Sequence, residues 1–252
     1  MKFSIVIQHY NRKQLLINTL NSITSSSMSD QCEVIIVDDA SDGNHDISKI
    51  GEMYPGMDIK VFSFTPEEKW WSCPVIPANL GIAKASGDIV VLQGAEIYHG
   101  GDILKDISER IKPNKYLVYA VLALSEIDTI NVERRLNFKY STWYQHSIHR
   151  NVCYNFCTAI FREDLMRLGG FDERYGHGIW YGDNDFILRI RRMGMDVITI
   201  DSPYAYHQYH PTMQVNPKTD QMCDKELYEH VLNNETGYHV KNSFLKNDEP
   251  KA

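Results

Sequence analysis

The run Ile89-Val-Val-Leu92 is short, unbroken and apolar, and it stops abruptly at Gln93-Gly-Ala-Glu96. Such a run reads as a strand buried on both faces. A strand of that kind needs a sheet with a layer of helices on each side. The texture recurs along the chain. Strands are expected at residues 3–8, 34–37, 58–64, 116–122, 155–161 and 196–200. Helical spacing separates them: Leu15, Leu16, Ile17, Leu20 and Ile23 share one face, as do Ile103, Leu104, Ile107 and Ile111. A helix at residues 162–168 is stopped by Gly169-Gly170. Another at 186–193 turns Phe186, Ile187 and Ile190 inward and Arg189, Arg191 and Arg192 outward. Strands alternating with helices give an α/β fold on a mostly parallel sheet. Ligands of open α/β sheets bind outside the carboxyl ends of the strands, so the residues that follow each apolar run are the ones to examine.

Several of those residues are acidic. Val34 to Val37 runs into Asp38-Asp39-Ala-Ser-Asp-Gly43. Two carboxylates there can accept the N–H and hydroxyl groups of a base or ribose; equally, Asp, Ser and Gly are turn formers and can close a capped loop. Glu96 ends the central run. Asp183 and Asp185 fall in the first turn of a helix, where the dipole favours a carboxylate; they read as caps or as an acid aimed into a cleft. Two adjacent tryptophans, Trp70 and Trp71, cannot both face one core, so one is exposed or covers something. Residues 126–150 lose all periodicity yet carry Lys139, Tyr140, Trp143, Tyr144, His146 and His149. A loop that long and aromatic reads as ordered and substrate-facing.

Composition narrows the classes. With 252 residues, 43% of them hydrophobic, the chain can build a real core. A net charge of −7 argues against a grip on nucleic-acid backbone, which needs a basic face. No apolar run is long enough to span a bilayer. Five cysteines without paired spacing fit free thiols in a reducing compartment, and the expectation is a cytoplasmic protein. Residues 1–210 read as one domain, with halves at 1–99 and 100–210. Residues 211–252 read as a polar tail with a short helix that either docks or stays mobile.

Four segments, in order, resemble an inverting glycosyltransferase of family 2 with the GT-A fold: Phe3-Ser-Ile-Val-Ile with Tyr10-Asn-Arg12; Val34-Ile-Ile-Val-Asp-Asp-Ala-Ser-Asp-Gly; Asn79-Leu-Gly-Ile-Ala with Ala85-Ser-Gly-Asp-Ile; and Gly169-Gly-Phe-Asp-Glu-Arg with Gly182-Asp-Asn-Asp-Phe-Ile-Leu-Arg. The resemblance implies a single GT-A, Rossmann-like domain and transfer of a sugar from a nucleotide-sugar, a UDP-sugar first of all, to an acceptor hydroxyl with inversion. It implies Asp183 as the general base, and Gln8, Tyr10, Arg12, Asp38, Asp39, Asn79 and Gln93 around the nucleotide. The glutamate that normally precedes the base is Gly182 here. The family's Asp-x-Asp metal motif is replaced by Gln93 and Ala95, and Leu92-Gln-Gly-Ala-Glu96 resembles the Leu-Gln-Asn-Pro-Glu of a subset of such enzymes. Glu96 and His207 are therefore the expected metal ligands, for Mn²⁺ ahead of Mg²⁺ because a histidine takes part. His99 and His210 are weaker candidates for the same metal, and are read in preference as packing or surface residues. Trp143, Trp180 and Tyr181 are expected to meet a glycan or another hydroxyl-bearing acceptor.

The lost Asp-x-Asp motivates a reading from another class: a catalytically weak module that binds a nucleotide or glycan on the same fold. A nucleotidyltransferase ranks last, because His9-Tyr-Asn-Arg12 is not the glycine-rich basic loop such chemistry uses.

Overall fold

The computed structural model describes residues 1–134, 138, 141–178, 181–211 and 220–245. The chain opens with β1 (Phe3–His9), α1 (Lys13–Thr24), β2 (Cys32–Asp38) and β3 (Asp58–Ser63). Next come α2 (Val75–Lys84), β4 (Ile89–Gly94), β5 (Ile97–His99) and α3 (Ile103–Arg110). β6 (Lys115–Ala123), α4 (Glu126–Ile130), β7 (Thr142–Gln145) and β8 (Cys157–Phe161) follow. The chain continues with α5 (Arg162–Leu168), α6 (Gly182–Arg192), β9 (Asp196–His207) and α7 (Asp220–Asn234).

Among the described residues the strands form one mixed sheet in the order β3-β2-β1-β4-β8-β6-β9-β5, with β7 paired to β6. β3, β2, β1 and β4 are all parallel. β8 enters antiparallel between β4 and β6, while β9 runs parallel to β6. Alternation along β1 explains the two cores. Phe3, Ile5 and Ile7 pack with Leu16 and Leu20 of α1 and Ile103 and Ile107 of α3. Val6 packs on the other face with Val75, Ile76 and Ile82 of α2, Leu165 of α5 and Phe186 of α6. The central run Ile89 to Leu92 is buried throughout, serving both faces as its unbroken apolar texture required.

Parallel register brings the strand ends together. His9 lies beside Asp38 and Gln8 beside Gly94, so the residues after β1, β2 and β4 share one edge. The loops there are laced: Asn11 donates its side-chain amide to Asp42 and accepts from the Asp42 backbone N–H at 2.8 Å.

Four expectations need correction. Residues 126–150 are not one loop, since they hold α4 and β7. β5 was not expected; three residues are too few to show a period. β9 does not stop at Ile200 but continues through Ser202-Pro203 to His207, with a register shift against β6 between Tyr119 and Val121. Arg189 does not face outward. It is 2% exposed and pairs with Asp185 at 2.7 Å, one helical turn away.

The described part of the tail packs against the body. Tyr228 of α7 stacks on Tyr181 at 5.3 Å. Arg192 donates to the Val231 carbonyl, and Arg174 forms two hydrogen bonds to Glu235 at 2.8 and 3.1 Å. The Val240 N–H bonds the Leu168 carbonyl at 3.1 Å. That approach is so close that a Cβ on Gly169, whose φ is +84°, would lie 1.9 Å from the Val240 oxygen. Among the described residues no helix is long and apolar enough to cross a membrane.

Candidate active site

A cleft of about 170 Å³ opens at the shared strand edge. Gln8, Gly94, Glu96, Asn155, Gly182 and Asp183 line it, among apolar neighbours that include Val75, Leu92, Phe156 and Phe171. Two acids from distant parts of the sequence thus face one space.

Glu96 is 7% exposed. Its Oε2 accepts from the Arg12 guanidinium at 2.9 Å, and its Oε1 lies 3.6 Å from His207 Nε2. Burial alone would raise its pKa. Arg12, His207 and His210 overcome burial and hold the carboxyl below its ordinary value. Ligand atoms of Glu96, His207 and His210 all lie within 4.8 Å of one another. His210 therefore joins the group and is not the packing or surface residue expected from sequence. Burial lowers the pKa of both His207 and His210, which favours neutral imidazole, the ligating form. One carboxylate and two neutral imidazoles suit a divalent ion of Mn²⁺ or Zn²⁺ character. Space for the carboxylate comes from Gly94, where a Cβ would sit 2.5 Å from Glu96 Oε1. His207 is held from the side by Tyr144, stacked at 5.1 Å, and by the edge of Phe156.

Asp183 lies in the first turn of α6 without capping it; no side chain caps that helix. Its Oδ1 accepts from Asn155 Nδ2 at 2.7 Å. Burial raises its pKa, outweighing the opposing pull of Asn155.

Asp39 is 5% exposed. Its two oxygens accept from Trp71 Nε1 at 2.7 Å and Lys69 Nζ at 2.9 Å. Lys69 also sits over the Tyr10 ring at 3.8 Å. Burial raises the Asp39 pKa above its ordinary value in spite of these donors. Trp71 is thus the buried member of the tryptophan pair, while Trp70 is 53% exposed against His177. Asp38 accepts from Ser41 and bonds His9 at 2.8 Å. Burial raises its pKa less than these partners lower it.

Several expected residues stand elsewhere. Asn79 is fully buried, with its amide spent on the Phe171 backbone at both ends and on Glu173; it secures the turn after Gly170. Gln93 points to the α1 side of the sheet and bonds His99 at 2.8 Å. Trp143 packs among His146, His149 and Tyr204, and its neighbour Tyr144 is the one that meets His207. The Tyr181 ring is covered by Tyr228. Trp180 lies outside the described residues. Sequence reasoning passed over Asn155, Lys69 and Cys73. None follows an apolar run at a strand's carboxyl end, the only local signal available.

The family model described as glycosyl transferase family 2 matches residues 4–169. The chain belongs to that family. Among relatives, the family member is 35% identical over 194 residues to the uncharacterized glycosyltransferase YwdF of Bacillus subtilis, covering 75% of this chain and 68% of that one. It is 27% identical over 227 residues to the amylovoran biosynthesis glycosyltransferase AmsB of Erwinia amylovora, covering 82% and 70%. In structure it resembles S. aureus TarS 1-349 in complex with UDP-GlcNAc, with TM-score 0.66, 17% identity and coverage of 92% and 67%. It also resembles the mannosyltransferase PcManGT of Pyrobaculum calidifontis in complex with GDP-Man and Mn²⁺, with TM-score 0.59, 19% identity and coverage of 92% and 70%. It spans only 40% of a longer TarS chain. The mixed α/β sheet is thus the GT-A fold of glycosyltransferases, and this family 2 chain is a transferase.

Proposed function

We propose that this glycosyltransferase moves a sugar from a UDP-sugar to an acceptor hydroxyl with inversion at the anomeric carbon. The observation that carries the reading is that Glu96 and Asp183 line one cleft. The first is grouped with two histidines; the second is buried and accepts from Asn155.

In this reading Asp38, Asp39, Tyr10 and Lys69 hold the nucleoside, with Gln8 at the mouth of the cleft. Glu96, His207 and His210 hold a divalent cation, Mn²⁺ by preference. Once bound, that cation supplies positive charge against the donor's diphosphate. Arg12 adds a second positive charge to the same place. Asp183 takes the proton of the acceptor hydroxyl as its oxygen attacks the anomeric carbon. The bond from that carbon to the diphosphate oxygen breaks with its electrons on the diphosphate, and the configuration inverts. The amylovoran biosynthesis named for AmsB and the UDP-GlcNAc bound to TarS support a biosynthetic transferase with a UDP-linked donor.

The absence of carboxylates at 93 and 95 favours a second reading, a binding module without turnover. Transfer assays over a panel of UDP-sugars and oligosaccharide acceptors separate the two. The transferase reading expects turnover that falls by about 10²–10⁴-fold in Asp183→Asn, with UDP affinity unchanged. Undiminished transfer in that variant would overturn Asp183 as base.

A further inference from the structure

We propose that Asn155 and Tyr116 are positioning residues for Asp183: the carboxylate selects the Nδ2 end of the Asn155 amide, and the buried Tyr116 hydroxyl, bonded to the other end, holds that amide in place against it. This rests on the reading of Asp183 as the base.

The argument starts from what an asparagine amide can do. Its two ends are nearly the same shape but opposite in hydrogen-bonding sense. Beside a carboxylate only the Nδ2 end is favourable, since the Oδ1 end would set oxygen against oxygen. Here Nδ2 donates to Asp183 Oδ1 at 2.7 Å, and Oδ1 accepts from the Tyr116 hydroxyl. Tyr116 is fully buried on β6, with its ring 5.9 Å from Phe186 of α6. Burial drives its pKa well above the ordinary range, so it keeps its proton. The Tyr116 hydroxyl, which can donate or accept, donates to the Oδ1 end that the carboxylate-selected orientation presents to it, and so anchors the amide. The Asn155 backbone N–H acts in the same sense as its side chain, lowering the Asp183 pKa against burial.

The consequence is directional. The bond to Oδ1 favours the ionised acid and lowers a pKa that burial has raised. The carboxylate so held belongs to the cleft that Asn155 and Asp183 both line. Other groups that face Asp183 do not supply this. Cys73, from the segment before α2, is kept a neutral thiol by burial. Glu96, which lines the same cleft, is paired with Arg12. Because Asn155 precedes β8 and Tyr116 begins β6, strands that are neighbours in the sheet, the pair is built into the scaffold and not into a free loop.

The test follows the Asp183 carboxyl directly, by ¹³C-detected NMR titration of the full chain labelled at aspartate, with the resonance assigned by its loss in Asp183→Asn. Tyr116→Phe keeps the ring and its packing. In it the titration midpoint of Asp183 should move up by about one pH unit, the size expected when a hydrogen bond to a charged group is lost. Asn155→Ala should move it at least as far. The double variant should titrate like Asn155→Ala alone, because Tyr116 acts only through the amide. A midpoint unmoved in folded Tyr116→Phe overturns the proposal, and so do two single shifts that add. If Asp183→Asn retains full transfer, the base assignment falls, while the titration still decides whether the pair governs this carboxylate.

Discussion

At position 94 one missing carbon decides whether Glu96 can sit where it does. A methyl there would meet Glu96 Oε1 at 2.5 Å, which is no contact a real Cβ makes. Gly94→Ala should therefore leave the chain folded, displace the carboxylate from His207 and His210, and weaken Mn²⁺ binding at least tenfold in a titration of the metal alone. Unchanged affinity would show that Glu96 is not a ligand. The acids of the candidate site were legible in the sequence because each follows a short apolar run or opens a helix: Glu96 and Asp183, which line the cleft, and Asp38 and Asp39, at the neighbouring strand end, all carry that local mark. His210 carried none. Its place beside Glu96 depends on β9 running back along β5, a pairing made by residues 97–99 and 205–207. Arg189 was misread for a related reason. A charged residue is placed outward by default, and only its partner Asp185, four residues earlier and equally buried, makes the inward position tenable.

At the scale of elements, Glu33 fastens three of them. Its carboxylate, fully buried at the start of β2, accepts from Ser4 of β1, from Ser86 before β4 and from Lys60 of β3 at 2.6 Å. Burial alone would raise its pKa, but these donors dominate and bring it from 4.5 down to about 2. A folded-state value below the unfolded one means stability that is present above pH 4.5 and lost as pH falls towards 2. Urea unfolding of the wild type should weaken across that window by on the order of 3 kcal/mol, and Glu33→Gln should flatten that dependence. An equally steep acid loss in the variant would remove Glu33 from the account. Elements with a clear period, such as α1 and α3, were readable within a residue or two. β9 was cut short because Ser202-Pro203 interrupts its pattern, and only the sheet partner β6 carries the strand past that point. β7 was hidden because four residues amid aromatic side chains show no alternation that separates strand from loop.

Across the whole molecule, the sheet edge and the C-terminal segment meet around α6. Arg189, inside that helix, donates to the Gly170 carbonyl at 2.9 Å while pairing with Asp185. Arg189→Met would strand a buried carboxylate and should cost about 3–5 kcal/mol in urea unfolding; a loss below about 1 kcal/mol would mean that water already reaches the pair. The α/β class and the edge on which the site lies were readable from the order of runs alone. The closure of the cleft was not, because it depends on β8 inserting antiparallel between β4 and β6, which brings Asn155, just before β8, to the cleft that Glu96 lines. The measurement that tests the central claim most directly is isothermal titration of UDP, with and without Mn²⁺, into the wild type and Glu96→Ala. The account predicts that UDP binds the wild type, that Mn²⁺ tightens it at least tenfold, and that this gain disappears in the variant. UDP binding that is indifferent to Mn²⁺, or equally metal-dependent without Glu96, would contradict it.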